Sequence, residues 1–245
     1  MVRVDKVYQK VLAIANKEQR GYITPQEFNL FADHAQMDIF EQYFYDLEQR
    51  QRGSGNESDY ADIITNIEEK ISIFEVFNQS AAILLDGYVE LGSTSGFYRL
   101  GTVNVSYSQN NTSIKAEQIQ INELNKYKLS PLAVWTKSRP VYTKFSTAGS
   151  PITIKIYPTP SISDSVNISF VKRPDPPNWT YLIGSNKNAL YNPNAVDHQD
   201  FQLHSSEETN LVVKILQLAG VAIKDFNLVQ AAAQDEVKSI QLEKQ

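Results

Sequence analysis

The stretch that decides how this chain is read is Asn16-Lys17-Glu18-Gln19-Arg20-Gly21-Tyr22-Ile23-Thr24-Pro25-Gln26-Glu27-Phe28. Its first twelve residues follow the outline of a calcium-binding EF-hand loop: oxygen-bearing side chains first and third, glycine sixth, isoleucine eighth, glutamate twelfth. A calcium loop needs several hard oxygen ligands carrying net negative charge. Here the first place is the neutral Asn16 and the fifth is Arg20, a cation that repels Ca²⁺. Simpler turn grammar accounts for the matching letters. Gly21 suits the cap after a first helix. Thr24 can cap a second helix, Pro25 fits its first position, and Glu27 completes a capping box. The stretch reads as a helix hairpin.

Outward from that turn, Val4, Val7, Val11 and Ile14 recur at helical spacing, widened by Tyr8, Leu12 and Ala15, and predict a helix over 3–19. A longer helix is expected over 25–52. Phe28, Phe31, Ala35 and Ile39 line one side of it, and Phe40, Phe44 and Leu47 extend that side. So broad an apolar face calls for two or more neighbours. Gly53 to Ser58 reads as a linker. A shorter helix over 59–70 carries Ile63, Ile64 and Ile67.

The period then changes to two. Ile152, Ile154 and Ile156 alternate with polar neighbours, as do Val166, Ile168 and Phe170, and Ile119 with Ile121. Asn110-Asn111 and Ser146 to Pro151 read as turns. A β-rich region is expected over 73–173. The prolines of Lys172-Arg173-Pro174-Asp175-Pro176-Pro177 end it, because proline removes a ladder donor. An irregular connection over 174–205 follows. Helix returns over 206–245: Glu207 and Glu208 sit in its first turn, Leu211, Ile215 and Leu218 form its face, and Gly220 is placed to break or bend it. Asp225 starts a last helix to about residue 243, with Val229, Ala233, Val237 and Ile240 in line. The fold class expected is α+β: a helical bundle formed by the N- and C-terminal helices, with a central β-rich insertion.

Composition narrows the functions. The chain has 245 residues and a net charge of −5, whereas general phosphate-backbone binders are usually basic. It has no cysteine, which removes thiol catalysis, thiolate metal sites and disulfides, and suits a reducing compartment. No secretory leader and no apolar run of membrane-spanning length is visible. No Walker, dinucleotide-binding, zinc-protease or serine-hydrolase motif occurs. Gly92 to Gly96 reads as a loop, not a phosphate cradle. His34 reads as a helix-surface residue. The densest polar cluster runs from Asp197 to His204, with His198 and Asp200 between. Two histidines and two aspartates could hold a metal, but polar residues also collect before helices, and that account is preferred. The 13 tyrosines could supply a stacking face for sugars or bases, or simply pack a core. Asn-x-Ser/Thr triplets such as Asn78-Gln79-Ser80 and Asn178-Trp179-Thr180 carry no meaning without secretion. No catalytic, cofactor or metal residues are assigned, and no enzyme is expected.

Several longer stretches carry a resemblance. They are the Gly21 to Asn29 turn and the Ala35 to Tyr43 helix (Ala-x-x-Asp-Ile-Phe-x-x-Tyr), then Arg139-Pro140-Val141-Tyr142 and Ile154 to Pro158. Phe170 to Trp179 and Leu211 to Asp225 complete the set. Together they resemble head-to-tail connector proteins (adaptor or neck ring proteins) of tailed bacteriophages, of the crAss-like podovirus kind. The resemblance implies a virion protein assembled in the host cytoplasm into a ring of about twelve copies. The ring would lie between the portal protein and adjacent neck or tail rings, with viral DNA passing through without sequence-specific binding. It also implies a helical core with a β insertion, and a C-terminal segment from Asp225 that either completes its own bundle or docks on a neighbour. The alternative from a different class is a carbohydrate- or protein-binding β-module of a virion or bacterial cell surface.

Overall fold

The computed structural model describes residues 1–16, 23–52, 58–91, 96–108, 112–145, 152–184 and 188–223, with backbone alone at 50–52, 58–63, 85 and 221–223. The fold is mixed α+β, with several sheets. The chain divides into two compact units, Met1–Ile73 with Pro174–Gln245, and Phe74–Arg173.

The first three helices are α1 (Val4–Asn16), α2 (Pro25–Arg52) and α3 (Ser58–Ser72). Residues 17–22, with Gly21 and most of the hairpin turn, lie outside the described residues, as do 53–57 of the expected linker. The predicted start of α2 is built as a capping box. Glu27 Oε2 accepts from the Thr24 N–H at 2.9 Å, and the Glu27 N–H donates to Thr24 Oγ1 at 3.3 Å. On α1, Val4, Val7, Tyr8, Val11 and Ala15 are buried, while Ile14 is exposed. The buried face of α2 comprises Phe28, Ala32, Ala35, Gln36, Ile39, Phe40 and Tyr43. Phe31, Phe44 and Leu47 are only partly covered. On α3, Ile64 and Ile67 are partly buried and Ile71 is fully so.

The β unit runs through β1 (Glu75–Ala81), β2 (Tyr88–Glu90), β3 (Phe97–Ser106), β4 (Ser113–Lys115), β5 (Glu117–Gln118), a short helix α4 (Leu124–Leu129), β6 (Val141–Phe145), β7 (Thr153–Tyr157) and β8 (Ser165–Lys172). Two four-stranded sheets form, in the orders β1-β8-β3-β4 and β2-β7-β6-β5. Neighbours are antiparallel except β5 and β6, which are parallel. Alternation in β7 and β8 puts Ile154, Ile156, Val166, Ile168 and Phe170 into one core with Val89, Leu91, Val103, Val105 and Tyr142, so both sheets bury their apolar faces in it. A strand carried through Ile121 is corrected. β5 stops at Gln118, and although Ile119 still donates its N–H to the Tyr142 carbonyl at 3.0 Å, Ile121 opens a 3-10 turn with its side chain exposed. Good helix formers from Leu124 to Leu129 then close a helical turn before Pro131. Asn110-Asn111 and 146–151 lie outside the described residues.

The connection expected to be wholly irregular contains a small hairpin, β9 (Tyr181–Ile183) with β10 (Ala189–Tyr191). After a 3-10 turn at Ser205–Glu207, α5 spans Glu208–Ile223. α5 packs against α1 and α2, and α2 packs against α3. Of the break or bend expected at Gly220, the break is corrected: α5 runs through it. A mid-helix glycine costs about 1 kcal/mol, and the buried Leu211, Val212, Ile215, Leu216 and Ala219 outweigh that. The expected last helix, from Asp225, lies outside the described residues.

Candidate functional site

The polar cluster from Asp197 to His204 is spread over separate structural tasks. Asp200 Oδ1 accepts the N–H of Val4 at 2.8 Å, at the first residue of α1. Asp197 accepts from Asn178 Nδ2, through its carbonyl at 2.8 Å and its carboxylate at 3.2 Å. His204 Nδ1 accepts the N–H of Ser206 and caps the 3-10 turn that leads into α5. His198 lies edge-on to Tyr191, with Nε2 3.3 Å from the Tyr191 hydroxyl and 3.8 Å from Asp200 Oδ1. Its Nδ1 is buried without a hydrogen-bond partner. Among the described residues no three His, Asp or Glu side chains converge in a metal-binding group.

The opening loop shows the same division of labour. Glu27, at the place of a calcium loop's bidentate ligand, has its carboxylate engaged by Thr24 Oγ1 at 2.7 Å as well as by the Thr24 N–H. Those two bonds hold the carboxyl below its ordinary range. His34 sits on the exposed side of α2, 3.8 Å from Asp38. Residues 92–95 of the glycine loop lie outside the described residues.

What the 174–204 passage does build is a lock on the helices. Asn29 of α2 forms a two-way amide pair: its Oδ1 accepts the Trp179 N–H at 2.9 Å, and its Nδ2 donates to Asn178 Oδ1 at 2.8 Å. Two turns along, Gln36 is fully buried. Its Nε2 donates to the Asp175 carbonyl at 2.8 Å, and its Oε1 accepts the Gln202 N–H at 3.0 Å. Gln202 in turn donates to Asp175 Oδ2 at 2.7 Å. The Trp179 indole N–H reaches Asp5 Oδ1 of α1 at 3.1 Å, and its ring stacks on Tyr191 and Tyr181 and tilts against Tyr8. A buried polar group without a partner is costly. Each amide therefore fixes the irregular backbone at one register. Glu207 adds a further tie. It is buried, paired with Lys70 of α3 at 2.6 Å and accepting from Asn210 at 2.8 Å.

In the β unit the tyrosines divide between core and face. Tyr107 is buried and donates to the Pro158 carbonyl at 2.8 Å; burial, with Asp164 nearby, pushes its hydroxyl up to about 12. Asp164 is itself partly desolvated. The N–H groups of Ser108 at 2.8 Å and Ser161 at 2.7 Å, with the serine hydroxyls, outweigh that and hold its carboxyl down to about 2. On the opposite face of β7, Lys155 Nζ lies 4.4 Å from the Tyr88 ring centre and 5.8 Å from that of Tyr157, whose ring is tilted against Trp135. These rings are half-buried against one another.

Sequence reasoning missed Asn29, Gln36, Asp5 and Gln202. The available signal was Gln36, a polar residue set within the apolar stripe of α2. Compared with known proteins, the chain matches no protein-family model and no curated sequence.

Proposed function

We propose that this chain is a structural virion protein, a subunit of an oligomeric ring in the neck of a tailed phage. In this reading the helices of both chain ends make one bundle and the β unit is its insertion. The ring joins the portal to adjacent neck or tail proteins, and viral DNA passes through it without sequence readout. Its work is assembly, with no bond made or broken.

One observation carries the reading. Among the described residues on which the resemblance rests, several serve as framework. Thr24 and Glu27 cap α2, Asn29 holds Trp179, and Trp179 reaches back to Asp5. Gln36 and Asp200 likewise hold backbone, at Asp175, Gln202 and Val4. A rigid subunit is what a closed ring of heterologous contacts needs, since small errors in the joint angle prevent closure.

Immunogold labelling of purified particles of the virus that encodes this chain tests the proposal. Label at the single vertex where the tail joins the head is the expected result. Label along tail fibres or over the whole capsid would contradict it.

A further inference from the structure

The formal charge of the chain is divided unequally. Phe74–Arg173 holds ten Lys and Arg against six Asp and Glu, a net of +4; with the whole chain at −5, the other unit is left with −9. Part of each side of the imbalance lies in one stretch with exposed residues. Between Leu124 and Pro140 there are four cations, Lys126, Lys128, Lys137 and Arg139, and no acid. The same stretch presents Leu129 and Leu132 to solvent at 82% and 91% exposure. Between Pro25 and Gln49 there are six acids and no Lys or Arg. The outward side of α2 there carries Asp38 and Glu41 with two exposed apolar residues, Leu30 at 73% and Tyr45 at 61%.

We infer that the 124–140 segment of one copy docks on the outward face of α2 in a second copy. The inference rests on the ring reading and deepens it by naming the two faces of the joint. The two surfaces are matched in kind. Each has apolar anchors that lose solvent on contact, and each surrounds them with charge of one sign. Opposite fields steer encounter and fix register, and the buried leucines supply the non-directional part of the affinity. Because the two faces differ, the contact is heterologous: each copy keeps one free face of each kind, and addition continues until the ring closes. A patch pairing with itself would stop at a dimer. Like charge on like charge also disfavours both self-pairings.

Charge reversal tests this, with assembly followed by sedimentation velocity and folding checked by circular dichroism. Lys126→Glu with Lys128→Glu spoils one face, and Asp38→Lys with Glu41→Lys spoils the other. Each double variant is expected to stay monomeric where the wild type assembles, its association weakened at least about tenfold. An equimolar mixture should regain assembly with the two variants alternating, since both joints between unlike copies pair opposite charges. All four substitutions in one chain should restore assembly. Wild-type rings that persist in both double variants would overturn the inference and leave the ring reading standing. A wild type that never self-associates would overturn the inference and count against the ring. Binding of the monomer to phosphatidylglycerol vesicles, lost in Lys126→Glu with Lys128→Glu, would overturn it in favour of a membrane surface.

Discussion

At the residue scale, the lock on the irregular passage makes the sharpest demands. Gln36→Leu keeps the volume roughly but takes a donor from the Asp175 carbonyl and the acceptor from the Gln202 N–H. A part-buried polar group left without its partner costs on the order of 1 kcal/mol or more, so the urea midpoint should fall clearly with an unchanged slope. Trp179→Ala removes a buried ring from a stack of aromatics and should cost about 3–5 kcal/mol. Trp179→Phe keeps most of the stack and loses only the bond to Asp5, so its loss should be much smaller; equal losses would mean that the ring's packing is not what holds. Little of this was legible beforehand. Periodicity finds faces that repeat, and Asn29, Gln36 and Trp179 act once each, across long sequence separations. The capping box was legible, because Thr24 and Glu27 lie three residues apart and need only local geometry.

At the element scale, α1, α2 and α3 and the alternating strands β7 and β8 follow from hydrophobic period, which local sequence carries directly. Elements that answer to tertiary context did not. α4 and the β9–β10 hairpin are six and three residues long, too short for a period to register, and α5 overrides Gly220 because its apolar face is buried on α1 and α2. The turn before β2 depends on Gly87, at φ +73°, where an added Cβ would lie 2.8 Å from Thr159 Cγ2. Gly87→Ala therefore combines backbone strain with a clash and should cost about 1–3 kcal/mol, read as a lowered melting temperature. Nearby, Asp164 gives the β unit a pH signature. Its folded carboxyl is held down to about 2, below the unfolded value of about 3.9. Its contribution is full above that unfolded value and is lost as pH falls through about 2. Asp164→Asn should flatten the fall in urea midpoint between about pH 4 and pH 2; an unchanged acid limb would show that the serine contacts do not act through charge.

At the scale of the whole molecule, the two units differ in charge as well as in fold, and that difference has a measurable consequence. If the basic segment of one copy meets the acidic helix of another, self-association should weaken steeply as salt rises, because exposed charges are screened within about 8 Å at physiological ionic strength. Association insensitive to salt would point to apolar contact alone. Composition had already set the outer limits, excluding thiol chemistry and making broad nucleic-acid binding unfavourable, and among the described residues no helix is long and apolar enough to cross a membrane. The partner is a different matter. It is written in surfaces whose meaning appears only when a second molecule is present. The measurement that goes most directly to the central claim is quantitative mass spectrometry of purified virus particles encoding this chain. The account predicts a fixed, low copy number of about twelve per particle, against hundreds of capsid subunits. Absence from the particles, or a copy number scaling with the capsid, would contradict it.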